Sequence, residues 1–116
     1  QKFDQLTKDH SISQALLDSG TISREEVPTH PYRNALYRYL GAAEGGTEVV
    51  AQKRRLESGD RFILCSDGVT DGVDDYTLAT LLHQNDEPPL AAEAIVHAAQ
   101  SGGSKDNITC MVLHVI

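Results

Sequence analysis

The stretch Gly59–Gly72, GDRFILCSDGVTDG, constrains the fold more than any other part of the chain. Phe62–Cys65 is an apolar run of the length and composition of a buried strand, and it stops abruptly at Ser66. Asp67 follows at once, and a second carboxylate, Asp71, comes four residues later. Carboxylate oxygens bind hard divalent cations such as Mg²⁺ or Mn²⁺. The simpler interpretation of the same residues is a strand followed by an acidic turn.

A third acid, Asp106, precedes the last apolar run of the chain. Asp106 lies in SKDNIT, directly before Ile108–Ile116. If strands 61–66 and 108–115 are antiparallel neighbours, Asp67 and Asp106 meet at one edge of the sheet. Parallel strands would instead hold the two carboxylates about 20 Å apart, at roughly 3.3 Å per residue. The antiparallel arrangement therefore predicts half of a metal site.

Five segments of the chain together resemble a known protein family. LCSDGVTDGV and GGSKDNIT are similar to the C-terminal motif pair of metal-dependent protein serine/threonine phosphatases of the PPM (PP2C) type, in their compact bacterial form. Upstream, QLTKDHS (5–11), DSGTISREE (18–26) and HPYRNALYRYLG (30–41) follow that family's order and spacing. The resemblance covers the chain from about Gln5 to its last residue.

The resemblance implies an α+β fold, the PP2C-like four-layer α-β-β-α sandwich, in which helices cover two antiparallel sheets packed face to face. Only the C-terminal part of that domain is expected here, because no GDG or GDSR motif occurs in the sequence. Residues of about 9–35 correspond to the family's flap region, and residues of about 36–116 to its metal-binding core. The N-terminal half, with the remaining metal ligands, is missing.

The implied activity is hydrolysis of phosphoserine and phosphothreonine by water activated by two Mn²⁺ or Mg²⁺ ions. Asp67 and Asp106 match positions that hold the second ion. Asp71 matches a position that helps to bind a third, more weakly held ion where its partner acid is present. His30 and Arg33 are expected near the phosphopeptide. The structural alternative is that Arg33 and Asn34 tie down the turn and His30 is simply solvated. The group that serves the leaving group lies in the missing half, so no catalytic residue is named. The alternative is a degenerate, non-catalytic binding or regulatory module.

Charge and cysteine usage limit the partners. The net charge of −7 argues against nucleic acid or an anionic membrane, which need a basic surface. No apolar run reaches membrane-spanning length, and no signal peptide opens the chain. Expected partners are phosphorylated proteins and either the missing N-terminal half or another copy of the chain. The two cysteines lie in apolar strands, which predicts buried, reduced thiols and a cytoplasmic location. A disulfide is the alternative if those strands are neighbours, because the thiols would then lie close together.

Local signals predict the remaining elements. The last strand, apolar on both faces, is expected to be buried on both. The predicted helix that ends at His83 should bury Tyr76, Ala79 and Leu82. The other predicted elements are a strand at Lys2–Thr7, a helix starting at Ser11 or Ser13 and stopped by Gly20, a short helix capped by Ser23 and ended near Pro28, strands at Leu36–Leu40 and Thr47–Leu56, the start of the His83 helix at Asp74 or Asp75, and a helix opened by Pro88-Pro89 and ended by Gly102-Gly103.

Overall fold

The computed structural model describes residues 2–43, 49 and 51–116, which divide into two compact units. The first unit comprises Lys2–Gln52 and the second Lys53–Ile116. No helix in the described ranges has the length and apolarity needed to cross a membrane.

The first unit is built on two short helical segments with side-chain caps. α1 spans Ile12–Asp18, and the Gln14 N–H donates to the Ser11 Oγ at 3.1 Å, which confirms Ser11 as the cap. A 3₁₀ helix spans Arg24–Thr29, and the Ser23 N–H donates to the Glu26 Oε2 at 2.6 Å. The predicted capping box is therefore present.

The strands predicted for the first unit are wrong where they can be checked. Lys2–Thr7 has no regular structure, and within 36–40 only Leu36 pairs, in an isolated antiparallel bridge to Ser11. Of the strand predicted at 47–56, residues 47, 48 and 50 lie outside the described ranges, and the remainder is irregular. A strand is stabilised by a hydrogen-bonded neighbour, and in this unit the described residues supply that single bridge.

The second unit contains the predicted antiparallel strand pair. β1 spans Arg61–Cys65 and β2 spans Cys110–His114, in a register that runs from Arg61 opposite His114 to Cys65 opposite Cys110. Three helices lie between the strands in sequence. They are α2 at Asp67–Thr70, α3 at Asp75–Gln84 and α4 at Pro88–Ser101.

Local capping sets the bounds of the two longer helices as the sequence predicts. The Thr77 N–H donates to the Asp74 Oδ1 at 2.8 Å, so Asp74 caps α3. Pro88 and Pro89 open α4, where the missing N–H groups would lack helical partners in any case, and Gly102 ends it.

The core of the second unit lies between the helices and one face of the strand pair. Ile95 and Val69 are fully buried, and Ile63 and Val112 pack against this cluster from the sheet. On α3 the buried residues are Leu78 and Leu82. The predicted α3 stripe is wrong at its first member, since Tyr76 is 81% exposed.

The opposite face of the strand pair is open. Leu64 is 59% exposed, Met111 60% and Leu113 43%. The prediction that the last strand is buried on both faces is therefore wrong for the described residues. Successive side chains of a strand point to opposite faces, and the helices of this unit cover one of them.

Arg61 fastens the start of β1 to the end of α3. Its Nη1 donates to the carbonyl oxygens of Leu82, of His83 at 3.1 Å and of Asn85 at 3.1 Å. Its Nη2 donates to the Asp86 carboxylate at 2.9 Å. The last carbonyls of a helix lack intrahelical partners, and a fork of cationic donors satisfies them here.

Candidate metal centre

Strand pairing brings Asp67 and Asp106 to one edge of the sheet. One step past the Cys65–Cys110 pair, the Ser66 N–H donates to the Thr109 carbonyl oxygen at 2.9 Å. Asp67 follows Ser66 directly and begins α2, while Asp106 precedes the segment that leads into β2. The antiparallel arrangement and the shared edge predicted from the sequence are confirmed.

Ser66 ties the two acid-bearing segments together through its side chain. Its Oγ donates to the Asn107 carbonyl oxygen at 3.1 Å and accepts from the Thr109 N–H at 3.1 Å. The residue before Asp67 is thus bonded to the residue after Asp106. This role of Ser66 was not predicted from the sequence, although a hydroxyl at the end of a strand is a signal for such backbone bonding.

Gly68, directly after Asp67, lies against the same segment. A Cβ at this position would be 2.1 Å from the Asn107 carbonyl oxygen and 3.3 Å from the Ile108 Cα. No side chain fits at that separation, so glycine is required here by close approach rather than by backbone angle. Ser66 and Gly68 therefore brace Asp67 from both sides against the Asp106 segment.

The Asp67 carboxylate is partly desolvated and lies near the carboxylates of Asp106 and Asp71. Desolvation is the largest cause that raises its pKa, followed by the negative charges of Asp106 and Asp71 and by a side-chain hydrogen bond with Asp106. A hydrogen bond from the Gly68 backbone acts in the opposite direction. A bound cation would relieve the repulsion between these carboxylates, so the donor set fits a hard divalent ion.

The orientation of Asp106 is fixed locally, and Asp71 lies one helical turn from Asp67. The Asp106 Oδ1 accepts from the Asn107 N–H at 2.7 Å. The Asp71 N–H donates to the Asp67 carbonyl oxygen at 2.8 Å at the end of α2. Within the described ranges, no three His, Cys, Asp or Glu side chains converge to hold a metal ion. The assignment of Asp67, Asp106 and Asp71 as metal ligands therefore stays a prediction.

His30 and Arg33 belong to the first unit, where both take part in a turn. The Tyr32 N–H donates to the His30 Nδ1 at 3.1 Å, and the Arg33 N–H donates to the His30 carbonyl oxygen at 3.1 Å. The His30 and Tyr32 rings are 5.7 Å apart. Arg33 is exposed. The His30 side chain thus takes part in the turn rather than being only solvated, and Arg33 contributes its backbone N–H. The substrate role of both residues stays a prediction.

The family described as Stage II sporulation protein E (SpoIIE) matches residues 12–116 of this chain. The serine/threonine protein phosphatase PstP of Mycobacterium tuberculosis is 38% identical over 115 residues, which are 99% of this chain and 22% of PstP.

Solved structures show the same relationship. A crystal structure of the Mycobacterium tuberculosis phosphatase PstP/Ppp aligns with a TM-score of 0.87 at 37% identity, over 97% of this chain and 46% of that one. The catalytic domain of PstP in complex with two manganese ions aligns with a TM-score of 0.76 at 33% identity, over 97% of this chain and 45% of that one. The predicted PP2C-like fold is confirmed, and the chain spans less than half the length of these relatives.

Proposed function

This chain belongs to the SpoIIE family of PP2C-type domains, and from that premise we propose that it is the C-terminal part of a bacterial metal-dependent protein serine/threonine phosphatase. The observation that carries the proposal is the acid pair Asp67 and Asp106, built at the joined ends of two antiparallel strands. A non-catalytic module would not need two carboxylates to be held together against their mutual repulsion. The pair therefore favours an enzyme over a degenerate binding module.

Asp67 and Asp106 would hold one Mn²⁺ or Mg²⁺ ion, and Asp71 would assist a further, more weakly held one. When bound, such ions lower the pKa of a coordinated water and neutralise charge on a phosphoryl group. The chain's own residues supply position and charge. Ser66 and Gly68 fix the two ligand-bearing segments against each other, and the Asn107 N–H orients the Asp106 carboxylate.

The N-terminal half of the domain would supply both the further metal ligands and a cover for the exposed face of the strand pair. Within the described residues no three potential ligands converge, so the proposed acid pair would need further ligands, and the face that carries Leu64, Met111 and Leu113 is open. A second sheet packed on that face would bury these apolar side chains, each worth about 1.5–3 kcal/mol when fully buried. We assign this cover to the N-terminal half of the domain. A second copy of the chain is the alternative cover, and light scattering on the purified chain distinguishes the two.

The substrates proposed are phosphoserine and phosphothreonine proteins. His30 and Arg33 are proposed to contact the phosphopeptide, since the guanidinium fork of arginine suits phosphate oxygens and Arg33 is exposed. A cytoplasmic location is proposed because the two cysteines are present as thiols rather than as a disulfide. The net charge of −7 favours protein substrates over nucleic acid.

Activity of a complete domain containing these residues tests the proposal. Asp67→Asn and Asp106→Asn should each lower hydrolysis of p-nitrophenyl phosphate and of a phosphopeptide by orders of magnitude across a Mn²⁺ titration. Asp75→Asn, which removes the same charge from the exposed start of α3, is the matched control and should retain activity. Full activity of Asp67→Asn would refute the assigned role. Mn²⁺ binding without turnover in the wild-type domain would favour the non-catalytic module.

Purification of the 116 residues alone tests the partner. We expect no turnover, and stable behaviour only when the N-terminal half is added. Light scattering distinguishes a complex with that half from a homodimer. A monomer with Mn²⁺-dependent activity would show that the chain needs neither.

A further inference from the structure

The two cysteines of the chain lie opposite each other across the strand pair. Cys65 is the last residue of β1, Cys110 is the first of β2, and the register pairs them directly. Both are thiols rather than a disulfide. The proposed phosphatase chemistry has no use for this pair, which is independent of it.

The hydrogen-bond pattern identifies the kind of pair that they form. Opposite residues in antiparallel strands alternate between hydrogen-bonded and non-hydrogen-bonded pairs. The Ser66 N–H bonds the Thr109 carbonyl oxygen at 2.9 Å, and the Val115 N–H bonds the Asp60 carbonyl oxygen at 2.8 Å. Both bonds join directly opposite residues. The two bonded pairs lie six positions apart along the ladder, an even number, so both belong to the hydrogen-bonded set.

Cys65 and Cys110 lie one step from Ser66 and Thr109, so they form a non-hydrogen-bonded pair. The Cα atoms of such a pair are about 4.5 Å apart and its side chains share one face. Disulfides span Cα separations of about 4.4–6.8 Å. A disulfide can therefore close here within the register that the strands already have.

The two thiols differ in their exposure, which sets the order in which they would react. Cys65 is exposed, whereas Cys110 is partly buried and its Sγ donates to the Ala92 carbonyl oxygen at 3.5 Å. Burial raises the pKa of the Cys110 thiol, which makes it less reactive toward an oxidant than an exposed thiol. A solvent oxidant therefore meets Cys65 first, with Cys110 beside it as the second thiol.

We propose that Cys65 and Cys110 are a thiol-oxidation site at which hydrogen peroxide closes an intramolecular disulfide. Peroxide first transfers one oxygen to the Cys65 sulfur, giving a sulfenic acid and one water. The Cys110 sulfur then attacks the sulfenic sulfur, forms the S–S bond and releases the hydroxyl group as a second water. Two thiols lose two electrons and two protons in total, and one peroxide is reduced to two waters. The bond ties together the strand ends that lead to Asp67 and Asp106.

Peptide mapping of the native protein tests the proposal. The protein containing the complete chain is treated with a few equivalents of hydrogen peroxide in the presence of a chelator, alkylated and digested without reduction. Mass spectrometry should find the Cys65 peptide linked to the Cys110 peptide, in a yield independent of protein concentration. Closure should be at least tenfold faster in buffer than in urea, because folding holds the thiols together.

A displaced thiol provides the matched control. The double variant Cys110→Ser/Met111→Cys moves the second thiol by one residue and so to the other face of β2. It should not link to Cys65. The proposal is overturned if the wild type gives only intermolecular disulfides, if Cys65 overoxidises while Cys110 stays open to alkylation, or if the displaced thiol links equally fast.

Discussion

Gly68→Ala would place a methyl group where the structure has no room for one. The added Cβ would lie 2.1 Å from the Asn107 carbonyl oxygen. A carbon and an oxygen atom normally approach no closer than about 3.3 Å. The α2 turn and the segment before β2 must therefore separate by about 1.2 Å, or the new side chain must remain in a clash.

This separation acts directly on the acid pair. Asp67 precedes Gly68 and Asp106 precedes Asn107, so both carboxylates move with the parts that are forced apart. Overpacking of this kind costs about 1–3 kcal/mol of folding free energy. Metal–ligand distances hold to within about 0.2 Å, so an opening of about 1.2 Å disrupts the site. We expect Mn²⁺ affinity to fall by about 10–100-fold, as for loss of other groups that orient ligands.

Gly102→Ala provides the control for crowding away from the Asp67–Asp106 pair. It displaces the Gly72 carbonyl next to Asp71, so the affinity to be compared is that of the ion proposed for Asp67 and Asp106. Its Cβ would lie 1.9 Å from the Gly72 carbonyl oxygen, at the end of α4 and away from Asn107. Thermal unfolding and Mn²⁺ titration by electron paramagnetic resonance are measured on complete domains carrying each variant. Both should melt at lower temperature, and only Gly68→Ala should lose affinity. Wild-type affinity in Gly68→Ala, or an equal loss in Gly102→Ala, would refute the reasoning.

Three further predictions concern single side chains. Asp71→Asn should lower turnover less than Asp67→Asn does at saturating Mn²⁺, and the difference should grow as Mn²⁺ is titrated down; equal losses at every concentration would contradict the separate role of Asp71. Arg61→Met should destabilise the fold by about 1.5–3 kcal/mol in urea unfolding, because the carbonyls of Leu82, His83 and Asn85 at the end of α3 lose a charged donor. Asp86→Asn, at a side chain that is 91% exposed, should cost much less, and equal costs would mean that the ion pair matters more than the carbonyls. Without metal, the raised pKa of Asp67 should make its contribution to stability fall as pH rises from its ordinary value of 3.8 through the raised value, since the folded state holds that proton more tightly; in thermal unfolding, the stability of the wild type should fall relative to that of Asp67→Asn over this range, and parallel curves would contradict the prediction.

The elements that the sequence predicts well are those with local signals. Asp74 caps α3, Pro88 opens α4, and Gly102 ends it, because each effect depends on the backbone within one turn. The shared edge of Asp67 and Asp106 was also predictable, since only antiparallel pairing could bring those acids together.

The contacts that fix the site depend on tertiary structure and carry weak signals. The Ser66 hydroxyl bonds to the Asn107 carbonyl, and Gly68 lies close against the same carbonyl. Neither contact can be derived from the spacing of these residues in the sequence. The outward position of Met111 was missed for a related reason. An apolar side chain predicts burial, but the group that buries it has to be present in the chain.

The strand pairing that builds the acid pair has a consequence for the order of folding. β1 and β2 are separated by 44 residues (66–109), and much of that interval forms α3 and α4. Helices need only local contacts and form early, whereas joining distant strands first requires the entropy loss of loop closure. During synthesis Asp67 is added to the chain 39 residues before Asp106, so the two carboxylates cannot come together until Asp106 has been made. The capacity to hold a cation should thus arise in one late step, when β2 docks beside β1.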